Sequence, residues 1–219
     1  INTKQLYHPY LTKPITNDIH IGRKNPNNIL ITGPNAGGKS TFIKSLSLSV
    51  IFSQTLGIAF CKSMEITPFY LINTYLNIPD CKGKESLFEA EMHRARNHIR
   101  KLKNLPKHQF SFIVMDEIFN STNPQEGISG AYAIAEKLSS FKNSISVITT
   151  HFTYLTNLEN DSKFKNYKIP IKRDNEDNII YPYKLKSGVS DQYIALELLR
   201  NKGFDNDLVD NAEVICQNL

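Results

Sequence analysis

Cysteine is scarce in this chain. Three stand in 219 residues, Cys61, Cys81 and Cys216. They are odd in number and no Cys-x-x-Cys pair occurs, which argues against a disulfide framework and against a structural zinc site. A reducing, intracellular compartment is expected. Long apolar runs are missing as well. No segment approaches the roughly 18 residues of a membrane span, and no signal-peptide pattern is visible, so no membrane partner is expected. Charge of one sign is also in short supply. The formal net charge is +5, which permits a polyanionic partner without demanding one. His93 and His98 are five positions apart and fall on different faces of a helix. They read as surface histidines, not as ligands.

What remains is an ordinary globular composition, 40% hydrophobic and 21% charged. The length suits one α/β domain, or one domain with a small appendage. The most informative stretch is Gly33-Pro34-Asn35-Ala36-Gly37-Gly38-Lys39-Ser40-Thr41. It fits the G-x-x-x-x-G-K-[ST] phosphate-binding loop, with Gly33, Gly38, Lys39 and Ser40 at the fixed positions. Ile29-Leu30-Ile31-Thr32 in front is a short, β-branched apolar run suited to a buried strand. Residues 40–57 predict a helix whose Phe42, Ile43, Leu46, Val50, Ile51 and Phe52 cover more than one face, stopped by Gly57. Strand, glycine loop and helix bring backbone N–H groups and a helix N-terminus to one point, where they suit phosphate oxygens. The pattern predicts a nucleoside triphosphate site, with Lys39 on the β- and γ-phosphates and Ser40 on Mg2+.

The rest of the chain adds candidate parts. Tyr7-His8-Pro9 and residues 19–21 suggest short strands ahead of the loop, and 66–76, broken by Pro68, a strand and turn near a sheet edge. Residues 79–84 read as a loop. A helix is predicted from Ser86 to about Lys103. Ser86 with Glu89 fits a capping box. Phe88, Met92, Ala95, Ile99 and Leu102 form an apolar stripe, opposite a solvated face of Arg94, Arg96, Arg100 and Lys101. Residues 110–116, a near-continuous apolar run, lead into Asp116-Glu117. Ligands of an open parallel sheet sit at the carboxyl ends of its strands. Asp116 is therefore the candidate to hold Mg2+, mostly through water, and Glu117 the candidate general base for an attacking water. A polar loop over 120–130 and a helix over 128–138 follow. Residues 144–150 predict the next buried strand, ending in Thr149-Thr150-His151. Two readings of His151 stand level: a sensor of the γ-phosphate at the strand's end, or a helix-capping or structural histidine. Residues 166–172 and 179–186, around a turn-rich 174–178, read as a β-hairpin. Residues 192–200 and 205–217 read as two helices meeting near Gly203, packed locally or used to pair with another chain.

Taken in order, these motifs resemble the ATPase domain of the MutS family of DNA mismatch-repair proteins, a branch of the ABC-type ATPases, over essentially the whole chain. Tyr7-His8-Pro9 resembles the family's His-Pro segment at the domain start. Residues 33–41 resemble its phosphate loop, with Asn35 after Gly-Pro. Ser86-Leu87-Phe88-Glu89-Ala90-Glu91-Met92 is similar to its Ser-Thr-Phe-x-x-Glu-Met helix. Met115-Asp116-Glu117-Ile118, through Thr122 to Gly127, resembles its metal-site strand and loop. Thr149-Thr150-His151 resembles its switch histidine, and Gly188 with Tyr193 its C-terminal pattern.

The resemblance implies a P-loop NTPase fold: an ABC-type layered α/β domain with a central, mostly parallel sheet, a late β-hairpin and a C-terminal helix pair. It implies residues 1–187 as the ATPase domain and 188–219 as a helical dimerisation segment of the same domain. ATP and Mg2+ are the implied cofactors, hydrolysis of ATP to ADP and phosphate the reaction, and a homodimer or MutS-like heterodimer with two composite sites the working form. In such a pair Ser86, at a helix N-terminus, faces the γ-phosphate bound by the other subunit. Asn35 meets the γ-phosphate or nearby water, Pro34, Ala36, Gly37 and Thr41 share the cradle, and Tyr183 stacks on the adenine. No aromatic stands at the opposite adenine position, near Pro14-Ile15. Glu85 replaces a basic or small residue of the family, and Asn120 stands where bacterial members have an arginine, marks of a divergent branch. Double-stranded DNA is met through domains outside these residues, with nucleotide state controlling clamp function. The chain starts at Ile1, and reads as an excised ATPase piece or a small stand-alone homologue. A MutS-like module for branched DNA or stalled ribosomes is the other function the resemblance allows. The Leu-Ser-Gly-Gly-Gln signature of transporter ATPases does not occur.

Overall fold

Residues 28–32 are buried without exception, and the main sheet is assembled outward from them. The computed structural model describes residues 1–76, 86–161, 163–176, 178–190 and 194–218. Its elements are β1 (Asn2–Leu6), β2 (Asn17–His20), β3 (Asn28–Thr32), α1 (Lys39–Leu56), β4 (Ser63–Glu65), β5 (Leu71–Tyr75), α2 (Leu87–Lys103), β6 (Ser111–Asp116), α3 (Pro124–Ser139) and β7 (Ser144–Thr149). A 3-10 turn, Thr153–Glu159, is followed by β8 (Phe164–Lys168), β9 (Lys172–Arg173), β10 (Ile179–Ile180), β11 (Lys186–Ser187), α4 (Ala195–Asn201) and α5 (Asn206–Asn218).

The main sheet has six strands in the order β11-β8-β3-β7-β6-β5. Every pair is parallel except β11 with β8. This is a layered α/β fold of the P-loop ATPase type with helices at the C-terminal end. Parallel strands are covered on both faces, and their alternation supplies two cores. On β3, Ile29 and Ile31 enter one core and Leu30 the other; on β6, Phe112 and Val114 are divided in the same way from Ile113 and Met115. α1 closes the first core with Phe42, Ile43, Leu46 and Val50. α2, α3 and the 3-10 turn close the second with Ala95, Leu102, Ala131, Ala135, Leu155 and Leu158. α1 can sit this deep because its buried Ser45 and Ser47 donate to the Thr41 and Ile43 carbonyls, at 2.7 and 2.8 Å. It stops at Gly57, which adopts φ 71° and returns its N–H to Ser53 O.

The structure departs from expectation in several places, each for a physical reason. The first strand is β1, not Tyr7-His8-Pro9. β1 pairs with β2 and β4 as a separate antiparallel sheet, and the chain leaves that ladder just before a proline, which has no N–H to give it. The predicted hairpin is present but interrupted: its tip pairs as β9 with β10, its base as β8 with β11, Lys168 opposite Lys186, and β8 also joins the main sheet beside β3. The loop expected over 120–130 ends at Asn123. Its side chain accepts from Gln125 N at 3.0 Å, and Pro124 opens α3. On α2 the buried residues are Glu91, Ala95, His98 and Leu102, one step round from the predicted stripe. Met92 is thus 40% exposed, and His98, read as a surface residue, is only 2% exposed. Arg94, Arg96, Arg100 and Lys101 are exposed. The loop expected over 79–84, together with Glu85 and Tyr193, lies outside the described residues. Cys61 and Cys216 are free thiols. Among the described residues no helix is long and apolar enough to cross a membrane.

Candidate active site

The carboxyl ends of β3, β7 and β6 lie level. Thr149 stands opposite Ile31 on one side and Asp116 on the other. The segments leaving those ends are the glycine loop, Thr150-His151 and Glu117, so the sheet itself gathers them at its carboxyl edge. The loop meets α1 at Gly38, which has φ 99°, a backbone conformation that favours glycine. A Cβ at this position would stand 3.0 Å from the Tyr183 ring. No side chain caps the helix here and its first turn has no acidic residue. The leading N–H groups of α1 therefore face outward for an external anion.

At the head of the loop is a compact charged group. Lys39 is 4% exposed. Its Nζ donates to Gly33 O at 2.9 Å and to Pro34 O at 3.2 Å, and lies 3.5 Å from Glu117 Oε1. Burial pushes the Lys39 ammonium below its ordinary value, and the Glu117 charge works against that shift. Glu117 Oε1 is also 2.5 Å from His151 Nε2, while Oε2 accepts from Asn120 Nδ2 at 3.1 Å. The hydrogen bond from His151, helped by Lys39, holds the Glu117 carboxyl below the usual carboxylate range in spite of its partial burial. An ionised carboxylate only accepts, so His151 Nε2 is the donor to it. The 3.4 Å approach of Lys39 Nζ to the same nitrogen is then proximity, not a hydrogen bond. The 3-10 turn after His151 has Phe152 as its N-cap, with no side-chain cap, so the capping role weighed for His151 is not seen.

Asp116 and Glu117 are held through Thr149. Its hydroxyl donates to Asp116 Oδ1 at 2.5 Å and accepts from Glu117 N at 3.1 Å. The backbone then turns sharply, with φ 52° at Glu117 and 61° at Phe119. Left-handed conformations cost a non-glycine residue about 1 kcal/mol or more each, and persist only where the surroundings enforce them. α3 makes the room. A Cβ on Gly127 would stand 2.6 Å from Phe119 O, and one on Gly130 2.9 Å from the Phe119 ring.

Two cavities adjoin the loop. The larger, of about 750 Å³, is lined by residues 34–42, by Leu11 and Ile15, and by Tyr181 and Tyr183. The two tyrosine rings are stacked, 6.0 Å apart at 18°. The volume and this half-apolar lining fit a nucleotide. The smaller, of about 460 Å³, has Asn35, Ala36 and Ser40 in its lining together with Glu91, Asp116 and Glu117. A serine hydroxyl and a carboxylate are hard oxygen donors of the kind Mg2+ takes, completed by water and phosphate oxygens. Among the described residues no group of three or more His, Cys, Asp or Glu could hold a metal ion on its own. The candidates Gly33 to Thr41, Asp116, Glu117, His151 and Tyr183 are thus brought together. Ser86 lines neither cavity: its hydroxyl accepts from Glu89 N at 3.2 Å and its N–H donates to Glu89 Oε2 at 2.9 Å, the two bonds of the α2 capping box, and the hydroxyl also donates to Oε2 at 3.0 Å.

Three further side chains belong to this site. Thr149 orients Asp116, and Asn120 holds Glu117. Glu91, 6% exposed, accepts the Ser121 hydroxyl at 2.5 Å. Burial, and then the Glu91 carboxylate beside it, push the Tyr75 phenol far above its ordinary range. In the sequence Glu91 is marked only by its place in the segment 86–92 that resembles the Ser-Thr-Phe-x-x-Glu-Met helix.

Residues 29–219 match the domain described as MutS domain V. Among curated proteins the chain is similar to DNA mismatch repair protein MutS of Finegoldia magna, 32% identical over 207 residues, which is 94% of this chain and 24% of the relative. It is also similar to DNA mismatch repair protein MutS of Clostridium novyi, 30% identical over 223 residues, 97% of this chain and 24% of the relative. DNA mismatch repair protein MSH3 of Vanderwaltozyma polyspora is 28% identical over 213 residues, 94% of this chain and 20% of the relative. The chain spans about a quarter of the length of the curated relatives it matches.

Proposed function

The chain belongs to the MutS family, and from that membership and the site geometry we propose that it is the ATP-binding and ATP-hydrolysing module of a MutS-like mismatch-repair protein, within the ABC-type ATPases. The observation behind this is the meeting of Lys39, Glu117 and His151 at the head of a glycine loop whose helix N–H groups are uncapped. Lys39 exchanges the Gly33 and Pro34 carbonyls for β- and γ-phosphate oxygens of ATP, and the N–H groups of the loop bind the rest. Ser40 and Asp116 would hold Mg2+, which would neutralise phosphate charge. Asn35 lies at the γ-phosphate end, in the lining of both cavities. Tyr183 stacks on the adenine from one side and Ile15 provides an apolar wall.

Glu117, ionised at neutral pH, accepts a proton from a water whose oxygen bonds to the γ-phosphorus. The bond from that phosphorus to the bridging oxygen breaks, and ADP leaves with the electron pair. His151 and Thr149 keep the two carboxylates oriented. Ser86 faces the γ-phosphate bound by a second subunit, so hydrolysis needs two chains, paired partly through residues 188–219. Nucleotide state then controls the clamp on double-stranded DNA, held by domains outside these residues. The relatives, all DNA mismatch repair proteins by name, favour mismatch repair over branched DNA or stalled ribosomes.

Glu117→Gln should bind ATP normally and lose about a thousandfold in turnover, while Lys39→Ala should weaken ATP binding about a hundredfold. Normal turnover in Glu117→Gln removes Glu117 as the base. Specific activity that rises with protein concentration supports the composite site, and full activity in dilute monomer removes Ser86 from it.

A further inference from the structure

The first turns of α2 grip the segment after Glu117 at two points. Phe88 packs edge-on against Phe119, with ring centroids 5.3 Å apart. One helical turn on, Glu91 accepts the Ser121 hydroxyl at 2.5 Å. Between the two gripped residues stands Asn120, whose amide donates to Glu117 Oε2 at 3.1 Å. On the far side Gly127 and Gly130 leave space for Phe119 and no more.

The two oxygens of Glu117 are held unequally. Oε1 shares His151 and Lys39, and a bound phosphate competes for the lysine. Among the described residues Oε2 is held by Asn120 alone. Once Lys39 is claimed, His151 still holds Oε1, and the amide of Asn120 is the second point that fixes the rotation of the carboxylate about it; a base must be held to a fraction of an ångström to work. Asn120 itself is exposed, with no packing of its own to fix it. Its place comes from the neighbours on either side, both fastened to α2, and the positive φ values at Glu117 and Phe119 require such fastening.

We propose that Asn120 is a positioning residue for Glu117, and that Glu91, through Ser121, sets where Asn120 stands. This rests on the reading of Glu117 as the general base. It also assigns α2 a regulatory task. The helix begins at Ser86, the residue that meets a partner's nucleotide in the proposed dimer, so a shift of α2 on pairing moves Asn120 and the base of this chain's own site.

The test compares Asn120→Leu, Ser121→Ala and Ser121→Thr in the full chain, by steady-state ATP turnover and by hydrogen exchange of the amides 117–121 without nucleotide. Asn120→Leu should lower kcat about tenfold with KM within about twofold. Ser121→Ala should lower kcat about threefold and speed exchange at 117–121. Ser121→Thr keeps a hydroxyl, so it should stay near the parent in both measurements. A kcat unchanged in Asn120→Leu, a rise in KM with kcat held, or Ser121→Ala and Ser121→Thr behaving alike overturns the proposal. Exchange needs no turnover, so unchanged exchange in Ser121→Ala overturns the positioning by α2 even if Glu117→Gln shows that the base is another residue.

Discussion

The strand, loop and helix that carry Lys39 and the helix pair that ends the chain are built on different terms. β3 has no exposed residue, and α1 places Phe42, Ile43, Leu46 and Val50 in the core at 5% exposure or less. α4 has no buried residue, and Phe204, Leu208, Val214 and Ile215 are all 50% exposed or more. Ion pairs are the visible side-chain contacts at that end, one to the rest of the chain and two between the helices. Arg173 makes two hydrogen bonds to Glu197, at 2.8 and 2.6 Å, and Arg200 reaches Asp210 at 2.7 Å and Glu213 at 3.4 Å. Val209, fully buried, is the apolar peg. Close-packed apolar contacts tolerate little displacement, whereas exposed ion pairs hold little energy and adapt. The phosphate loop therefore has one position, set by the core, and the helix pair is attached with much less apolar burial.

Substitutions can break that contrast or sharpen it. Phe112→Ala, in the middle of the sheet, should cost about 4 kcal/mol of stability, seen as a lower urea midpoint. A cost as small as that of a surface change would erase the difference between the two regions. His98 gives the next effect. Burial pushes its imidazole from an ordinary 6.5 down to about 4, so the folded chain keeps it neutral. Below pH 6.5 the unfolded chain takes up a proton that the folded chain refuses. Stability should thus fall between about pH 6.5 and pH 4 and level off below, a loss on the order of 3 kcal/mol. Urea midpoints measured across that range should flatten in His98→Leu. The smallest effect belongs to Arg200→Ala. It should leave the global midpoint where it is and speed amide exchange in α5 only, and salt at about 0.5 M should do the same to the parent chain.

Structure with a local cause could be read from the residues. The buried run before Gly33, the helix behind it and its stop at Gly57 all follow from short-range patterns. The Ser86–Glu89 capping box is present in both of its hydrogen bonds. Pairing between distant segments could not be read this way. β1 joins β4 across about 60 residues and β8 settles beside β3, and neither leaves a mark in its own sequence. Glu91 and His98 hid the true inner face of α2, because polar residues on a buried face look like the outer one. In the site, Lys39, Asp116 and Glu117 stood in recognisable surroundings. Asn120 stood out only as a departure from the family's arginine, and Ser121 looked like an ordinary loop residue. Their roles are created by a turn with positive φ at two residues that are not glycine, for which composition offers no cue.

Lys39 carries a consequence of its own. Its ammonium already has two carbonyl oxygens and a carboxylate around it. An anion reaches it by substitution, as an incoming ligand does at a metal ion, and Glu117 is part of what is displaced. A singly charged anion merely trades one negative neighbour for another and gains little. A polyphosphate gains more, because it also fills the row of N–H groups beside the lysine. Under the proposed function, the loop would thus select by the number of linked phosphates, and the entry of the right one would release the carboxylate proposed as the base.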